Sequence, residues 1–449
     1  ILDKQGRFVE RLETCLFQTI DTVSVKGYET FDKLDSPPPD DLYREMKLGD
    51  SWGREKGYCW FTCRYQVPEK YAHQKLYLYP EFDGYEGLLF VNGLPYANYA
   101  SKKCVGSHGN HYCKVFAQDP APNEVYRLDL EAYAGHDYEG SQPFAPPARR
   151  SYDLKLGRFR VCIQDELIYR FYFDYKTLQD LYNVLPDNNF KKAELLRAFL
   201  DMHQFLYYDI ESCKPEVLRN AVRKGVEVMR PILQKHNSET TPRVGILGHS
   251  HMDTAWTWEI DETIKKCART FSNQLNLMEQ YPNYRFIQSS ALHLKFMEMH
   301  YPALFEKIKA RILEGRYEPN GGVWVECDCN ITGGEFLVRQ FLWGQRYTQK
   351  HFGFTSNAFY LPDTFGYSAA LPQIMKGCHV HYFLTTKLGW NENNKFPYET
   401  YYWQGIDGTK VLTHHNVTHC WPSPSKMTQV LDALSEKAVS DERLLTFGF

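Results

Sequence analysis

Apolar and polar residues along the chain change their period several times, and each period predicts a different kind of element. From Arg7 to about Thr22, "RFVERLETCLFQTI" sets apolar residues at helical spacing, and the acidic, proline-rich "DSPPPDD" at Asp35–Asp41 then breaks the pattern as a linker. Between Ser51 and about Asp165 the texture shifts to short runs rich in Tyr, Val, Phe and Leu, punctuated by Gly, Pro and Asn ("CWFTCRYQVP", "QKLYLYPEF", "VYRLDLEAY"). Short strands closing on turns predict an antiparallel β-sandwich. Within it, Asn92-Gly93 between two apolar runs is a hairpin signal. From Leu167 to Gln234 apolar residues return at three and four spacing and predict a helical connector.

After "HNSETTP" strands and helices alternate. The strand "RVGIL" leads to a helix over 260–280, the strand "YRFIQSS" to a helix "LKFMEMHYPALFEKIKARILEG", and the strand "VWVEC" to a helix "GEFLVRQFLWGQRYTQKHF"; the strands "NAFYLPD" and "VHYFLTTK" follow. This alternation predicts an α/β fold with a parallel sheet wrapped by helices, whose ligands sit beyond the carboxyl ends of the strands. The predicted organisation is a helix and Pro-rich linker over 1–50, a β-sandwich over 51–165, a helical connector over 166–238 and the α/β region over 239–449.

Composition narrows the function classes. A chain of 449 residues is long enough for two or three cores. Its 24% of charged residues and formal net charge of −3 argue against a generally basic nucleic-acid surface. Aromatics reach 15%, led by 32 tyrosines, a surplus that suits stacking on sugars or bases and equally suits large cores. No apolar run approaches the ~20 residues that cross a bilayer, which predicts a soluble protein without membrane partners. The 12 cysteines lack paired zinc-site spacing and read as mostly reduced thiols of a cytoplasmic protein. Asn330-Ile-Thr and Asn416-Val-Thr match the glycosylation tripeptide, which also arises by chance.

Polar residues gather at the strand ends. His249, His251 and Asp253 follow the first strand, Gln288 and Ser289 the second, Glu326 and Asp328 the third, and Asp363 and Lys387 the last two. One such carboxylate also reads as a helix N-cap, but several together point to a site. In "GHSHMDTAW", His251 and Asp253 stand two residues apart, so a turning backbone can aim both at one divalent cation; the same pair also reads as a polar strand end. In "YLPDTFGYSAALPQI", Asp363 ends an apolar strand with Phe365 and Gly366 directly after it. A carboxylate beside a ring suits attack at a sugar's anomeric carbon. The capping alternative needs a helix from Ser368, which Gly366 and Pro372 keep short.

The same stretches carry a resemblance. "GHSHMDTAWTWEIDETIKKCARTF", "QSSALHLKFMEMHYPALFEKI", "GRYEPNGGVWVECDCNITGGEFLVRQFLWGQRY", "FYLPDTFGYSAALPQI" and "TYYWQGIDGTKVLTHH" resemble the catalytic domain of the family 38 glycoside hydrolases, the class II α-mannosidases. The likeness is to the cytosolic and vacuolar branch, covers about residues 240 to 449, and extends more loosely to the sandwich and connector. It implies a (β/α) barrel-type catalytic domain over 239–449 and one divalent metal ion, usually zinc, held by His251, Asp253, the nucleophile Asp363 and a later histidine. It also implies His249 beside the ligands rather than among them. Trp256 and Phe365 would stack around bound mannose, and Lys387 stands where other branches carry an arginine near the nucleophile.

The resemblance therefore implies a retaining α-mannosidase acting on α-mannosides or mannose-containing oligosaccharides, in the cytoplasm, as a homo-oligomer. Such chemistry needs a nucleophile and an acid/base about 5 Å apart. The metal would keep Asp363 ionised and grip the hydroxyls at carbons 2 and 3 of the sugar. In the family the acid/base lies in a Gly-rich stretch after a strand like "RLLTFGF", and the last metal ligand lies further on. Both are expected beyond Phe449, with residues 1–449 the leading part of a longer enzyme. Asp407, His414, His415 and His419 do not match those motifs. Two other classes stay open: a metal-dependent amidohydrolase or sugar deacetylase using metal-bound water, and a non-catalytic mannose-binding protein.

Overall fold

The computed structural model describes residues 1–100, 110–136, 152–415 and 421–448. The tripeptide at Asn416, His419 and Phe449 lie outside the described residues. The first half contains α1 (Leu2–Leu12), β1 (Phe17–Val23), β2 (Lys26–Thr30), β3 (Arg44–Glu45), β4 (Ser51–Trp52), β5 (Tyr58–Gln66), β6 (Leu76–Pro80), β7 (Glu86–Val91), β8 (Leu94–Ala100), β9 (Lys114–Ala117), β10 (Val125–Tyr133), β11 (Leu154–Lys155) and β12 (Phe159–Gln164). Two antiparallel sheets, ordered β1-β12-β6-β9 and β3-β2-β5-β10-β7-β8, enclose one apolar core. The expected helix over 7–22 ends at Leu12, and Phe17–Val23 instead forms β1, paired along β12. Local spacing favoured helix there, but a free edge of β12 offered a ladder. The Asn92-Gly93 hairpin joins β7 to β8, both residues having positive φ (50° and 81°).

The centre of the larger sheet, along β7 and parts of β5 and β10, is buried on both faces, which explains why runs such as "GLLFV" are continuously apolar. Cys59, Phe61 and Tyr65 of β5, Leu89 of β7, and Leu128, Leu130 and Ala132 of β10 point into the sandwich core. The alternate residues Trp60, Leu88 and Phe90 join a second core with Phe271, Leu275, Leu294 and Ile308 from the helices beyond. That opposite face of β10 also carries two fully buried acids, Asp129 and Glu131.

Helices α2 (Glu166–Val184), α3 (Phe190–His203) and α4 (Pro215–Leu233) pack with α1 around Phe8, Leu12, Phe171, Phe199 and Val222. Asp165 caps α2 by accepting from Leu167 N and Ile168 N, and Pro215 starts α4 where no N–H is needed.

The remaining elements are β13 (Arg243–His249), α5 (Ile260–Gln280), β14 (Phe286–Ile287), α6 (Ala291–His300), α7 (Pro302–Leu313), β15 (Tyr317–Glu318), α8 (Gly334–Phe352), β16 (Ala358–Leu361), α9 (Leu371–Gly377), β17 (Tyr382–Thr385), β18 (Thr400–Gln404), β19 (Lys410–His415), α10 (Pro424–Asp432) and β20 (Glu442–Phe447). Pro302 splits the single helix expected over this stretch into α6 and α7, because its ring cannot continue the ladder. The expected strand "VWVEC" is replaced by the shorter β15 upstream. Val323 O and Trp324 O accept from Ala291 N and Leu292 N at the start of α6, and Trp324 N donates to Gln340 O, so that backbone is spent on helices rather than on a ladder.

The fold is mixed α/β. Its parallel strands form two four-stranded sheets, β15-β14-β13-β20 and β16-β17-β19-β18, with β18 antiparallel to β19. Single bridges at Ser290–Val323 and Cys329–Tyr367 extend them, and no closed ring of strands forms among the described residues. Ten described cysteines are free thiols, and no described helix is long and apolar enough to cross a membrane.

Candidate active site

The carboxyl ends of β13 and β16 bring three side chains together. His251 Nε2 lies 3.4 Å from Asp253 Oδ1 and 3.8 Å from Asp363 Oδ2, and one ligand atom from each residue falls within 4.8 Å of the others. His251 and Asp253 leave β13 on an irregular turn, while Asp363 follows the short, fully apolar β16, whose Phe359, Tyr360 and Leu361 are buried. Two elements far apart in sequence thus present an imidazole and two carboxylates to one point.

The donor set fits a divalent metal ion. His251 Nε2 is buried, makes no hydrogen bond, and has as its polar neighbours only the longer ion-pair contacts to Asp253 and Asp363, a setting that a protein interior rarely leaves without a ligand. Donors at the corners of a tetrahedron about 2.1 Å from zinc lie roughly 3.4 Å apart, close to the separations seen. Burial works against charge on His251, but the carboxylates of Glu326 and Asp253 outweigh it and push the imidazole up to about 10. A bound cation would replace that proton.

Around this cluster each expected residue has a definite place. Lys387, following β17, puts Nζ 2.6 Å from Asp363 Oδ1, a charge-assisted contact. The ammonium also sits 3.7 Å from the centroid of Trp390, a cation–π partner that the sequence did not single out. Phe365 and Trp256 are 72% and 52% exposed, so both rings have open faces beside the strand ends. Trp256 packs edge-on against Trp258 with centroids 5.6 Å apart. His249 stays out of the cluster: it is buried, and its Nδ1 is 3.1 Å from Tyr360 Oη, which ties β13 to β16.

Glu326 is the partner that sequence spacing did not reveal. Its Oε2 accepts from His251 Nδ1 at 2.6 Å, and Ser289 Oγ donates to its Oε1. Asp328, two residues on, instead turns to accept from Asn330 N and Ile331 N and holds the loop. Gln288 contacts His293 Nδ1 at 3.1 Å, and His293 Nε2 reaches Thr254 Oγ1 at 3.2 Å; burial, then the charge on His251, hold His293 down to about 3. Asp407 is exposed and closes the β18–β19 turn by accepting from Thr409 N and Oγ1 at 3.0 and 2.6 Å. Asp363 caps no helix, since α9 begins eight residues later behind Ala370.

Residues 241–449 match the glycosyl hydrolases family 38 N-terminal domain. The alpha-mannosidase G of Dictyostelium discoideum is 29% identical over 100% of this chain and 42% of its own length. The alpha-mannosidase 2C1 of Homo sapiens is 32% identical over 91% of this chain and 38% of its own, and the alpha-mannosidase of Saccharomyces cerevisiae 30% identical over 87% and 36%. The chain spans about two fifths of the length of these curated relatives.

Proposed function

We propose that the chain is part of a retaining α-mannosidase that hydrolyses terminal α-linked mannose, with Asp363 as nucleophile and a divalent metal ion, Zn2+ by its donor set, held by His251, Asp253 and Asp363. The observation that carries this reading is the convergence of His251, Asp253 and Asp363 from two strand ends inside a family 38 segment. When bound, the ion supplies Lewis acidity and a grip on neighbouring sugar hydroxyls. Every other role belongs to side chains. Asp363 follows a buried strand and is held by Lys387, so its carboxylate is aimed before substrate arrives. It attacks the anomeric carbon as the bond to the leaving oxygen breaks, and water then cleaves the resulting ester with the configuration retained overall. Lys387 holds the second carboxylate oxygen in place, while Trp256 and Phe365 offer faces to the apolar side of the pyranose.

Mannose-containing oligosaccharides are the substrates on this reading, and the two parallel sheets belong to a (β/α) barrel-type domain over 239–449. The sandwich and helices precede it. The free thiols support a cytoplasmic compartment.

In the full protein, Asp363→Asn should abolish turnover of an activated aryl α-mannoside while the circular dichroism spectrum is kept. A fluorinated mannosyl donor should leave a covalent adduct on Asp363, read by mass spectrometry. Chelation should inactivate the enzyme and a divalent metal restore it. Retained turnover in Asp363→Asn removes Asp363 from the role. Absence of the adduct, with chelator-sensitive cleavage of acetyl or amide substrates, would move the protein to the metal-bound-water hydrolases.

A further inference from the structure

Glu326 is buried, its side chain 8% exposed, and among the described residues no lysine or arginine pairs with it. Holding a carboxylate away from water is costly, and the one ionisable partner Glu326 has is the His251 imidazole, so the pair needs a specific reason to be there. Its contacts supply one. Oε2 accepts from His251 Nδ1 at 2.6 Å, Oε1 accepts from Ser289 Oγ, and Ser290 Oγ lies 3.3 Å from the Glu326 backbone N. The carboxylate is therefore oriented from the β14 end by Ser289, with Ser290 holding the Glu326 backbone, and it spends its other oxygen on a single ring nitrogen. A carboxylate in this setting only accepts, so Nδ1 must carry the hydrogen. That leaves Nε2 as the nitrogen facing Asp253 and Asp363, and Nε2 is the buried atom without a hydrogen bond.

We propose that Glu326 is a positioning residue that fixes the tautomer and ring plane of His251, so that its Nε2 lone pair is presented to the metal ion. The inference rests on the metal site proposed above and adds a residue to it. The chain Ser289–Glu326–His251 is an outer hydrogen-bond shell of the kind that sets imidazole basicity and metal affinity. A structural filler at this position would need only size. The pairing of a carboxylate with Nδ1 needs charge and an acceptor, and that difference is measurable.

The test uses the full protein, stripped of metal and titrated with Zn2+ against a chromophoric chelator. Wild type should bind one ion per chain. Glu326→Gln, which keeps the shape and removes the charge, should raise the dissociation constant roughly 10–100-fold. Glu326→Ala should raise it at least as far, and Ser289→Ala should raise it less. Loaded with Co2+, Glu326→Gln should also show shifted visible bands at unchanged stoichiometry, a change in ligand field that lost packing alone would not give. If wild type binds Zn2+ and Glu326→Gln binds it equally well with unshifted bands, the role of Glu326 is overturned and the metal site stands. If wild type binds no ion, the metal site itself fails and the inference with it. Should Glu326→Gln not fold, Ser289→Ala decides, and an unchanged constant there overturns the proposal.

Discussion

Removing one charge between the sandwich and α5 should loosen that contact in a way that depends on pH. Lys265 on α5 is 1% exposed, and its Nζ lies 2.8 Å from Oε1 of the equally buried Glu131 on β10 and 2.9 Å from Tyr301 Oη, with Leu34 O as a third partner. One turn further along α5, Arg269 reaches Glu86 at 2.8 Å and Glu262 at 2.5 Å. In Lys265→Met the stem stays and the charge goes, leaving the Glu131 carboxylate with its nearest cation removed. Breaking a buried pair from one side typically costs about 3–5 kcal/mol. Here protonation sets a ceiling. Burial already raises Glu131 above the usual carboxylate value of 4.5. Relative to an unfolded-chain carboxyl at 4.5, holding Glu131 protonated at pH 7 costs roughly 3.4 kcal/mol at 1.36 kcal/mol per unit, so the electrostatic loss does not exceed about that figure.

The sign follows directly. A folded-state acid whose pKa lies above its unfolded value binds the extra proton in the folded protein, so the electrostatic penalty grows as pH rises and fades toward pH 5. The bonds lost to Tyr301 and Leu34 do not titrate in this range and add a constant offset. Because the chain contains several cores, global melting would blur the effect, and hydrogen exchange of peptides covering 125–133 and 260–280 is the better assay. At pH 7 exchange there should quicken roughly a hundredfold over wild type, at ~1.4 kcal/mol per decade. At pH 5.5 the ratio should shrink by about tenfold or more, and adding Glu131→Leu should recover most of the loss. A pH-independent ratio, or a double variant no better than the single one, would refute the argument.

Two further outcomes follow from single residues. Gly366, three positions after Asp363, has φ of 104°, and an added Cβ would come within 1.9 Å of Asn330 Nδ2; Gly366→Ala should cost about 1–3 kcal/mol in thermal denaturation, and unchanged stability would show that the turn needs no glycine. Burial and then Arg443 push His414 down to about 4, below its ordinary 6.5. The unfolded chain therefore takes its proton first as pH falls, and up to ~3 kcal/mol of stability present above pH 6.5 should be lost between 6.5 and 4. His414→Gln should flatten that part of the stability profile, and an unaltered slope would exclude the histidine as its source.

Local pattern determined much of this protein. The helix over 260–280 forms as α5 over Ile260–Gln280, and Asn92-Gly93 makes its hairpin, because both signals act within a few residues. Asp363 at the end of an apolar strand and the His251–Asp253 pair were legible for the same reason, since strand ends and two-residue spacing are properties of neighbouring positions. Tertiary structure decided what no short window contains. Phe17–Val23 has helical spacing, yet it is a strand because β12 offered it an edge. Val323–Cys327 is rich in strand formers, yet the carbonyls of Val323 and Trp324 go to α6 and the amides of Trp324 and Val325 to Gln340 on α8. Glu326 sits 75 positions from His251, and Lys387 sits 24 from Asp363; only folding brings either pair within a hydrogen bond. Both faces of β10 are buried because α5 covers the side that alternation alone would assign to water, and the charges of Glu131 and Lys265 meet each other there. Periodicity reports which face a residue shares with its neighbours along the chain. What lies opposite that face is set by long-range pairing, and the partners at this site come from strands that the sequence keeps far apart.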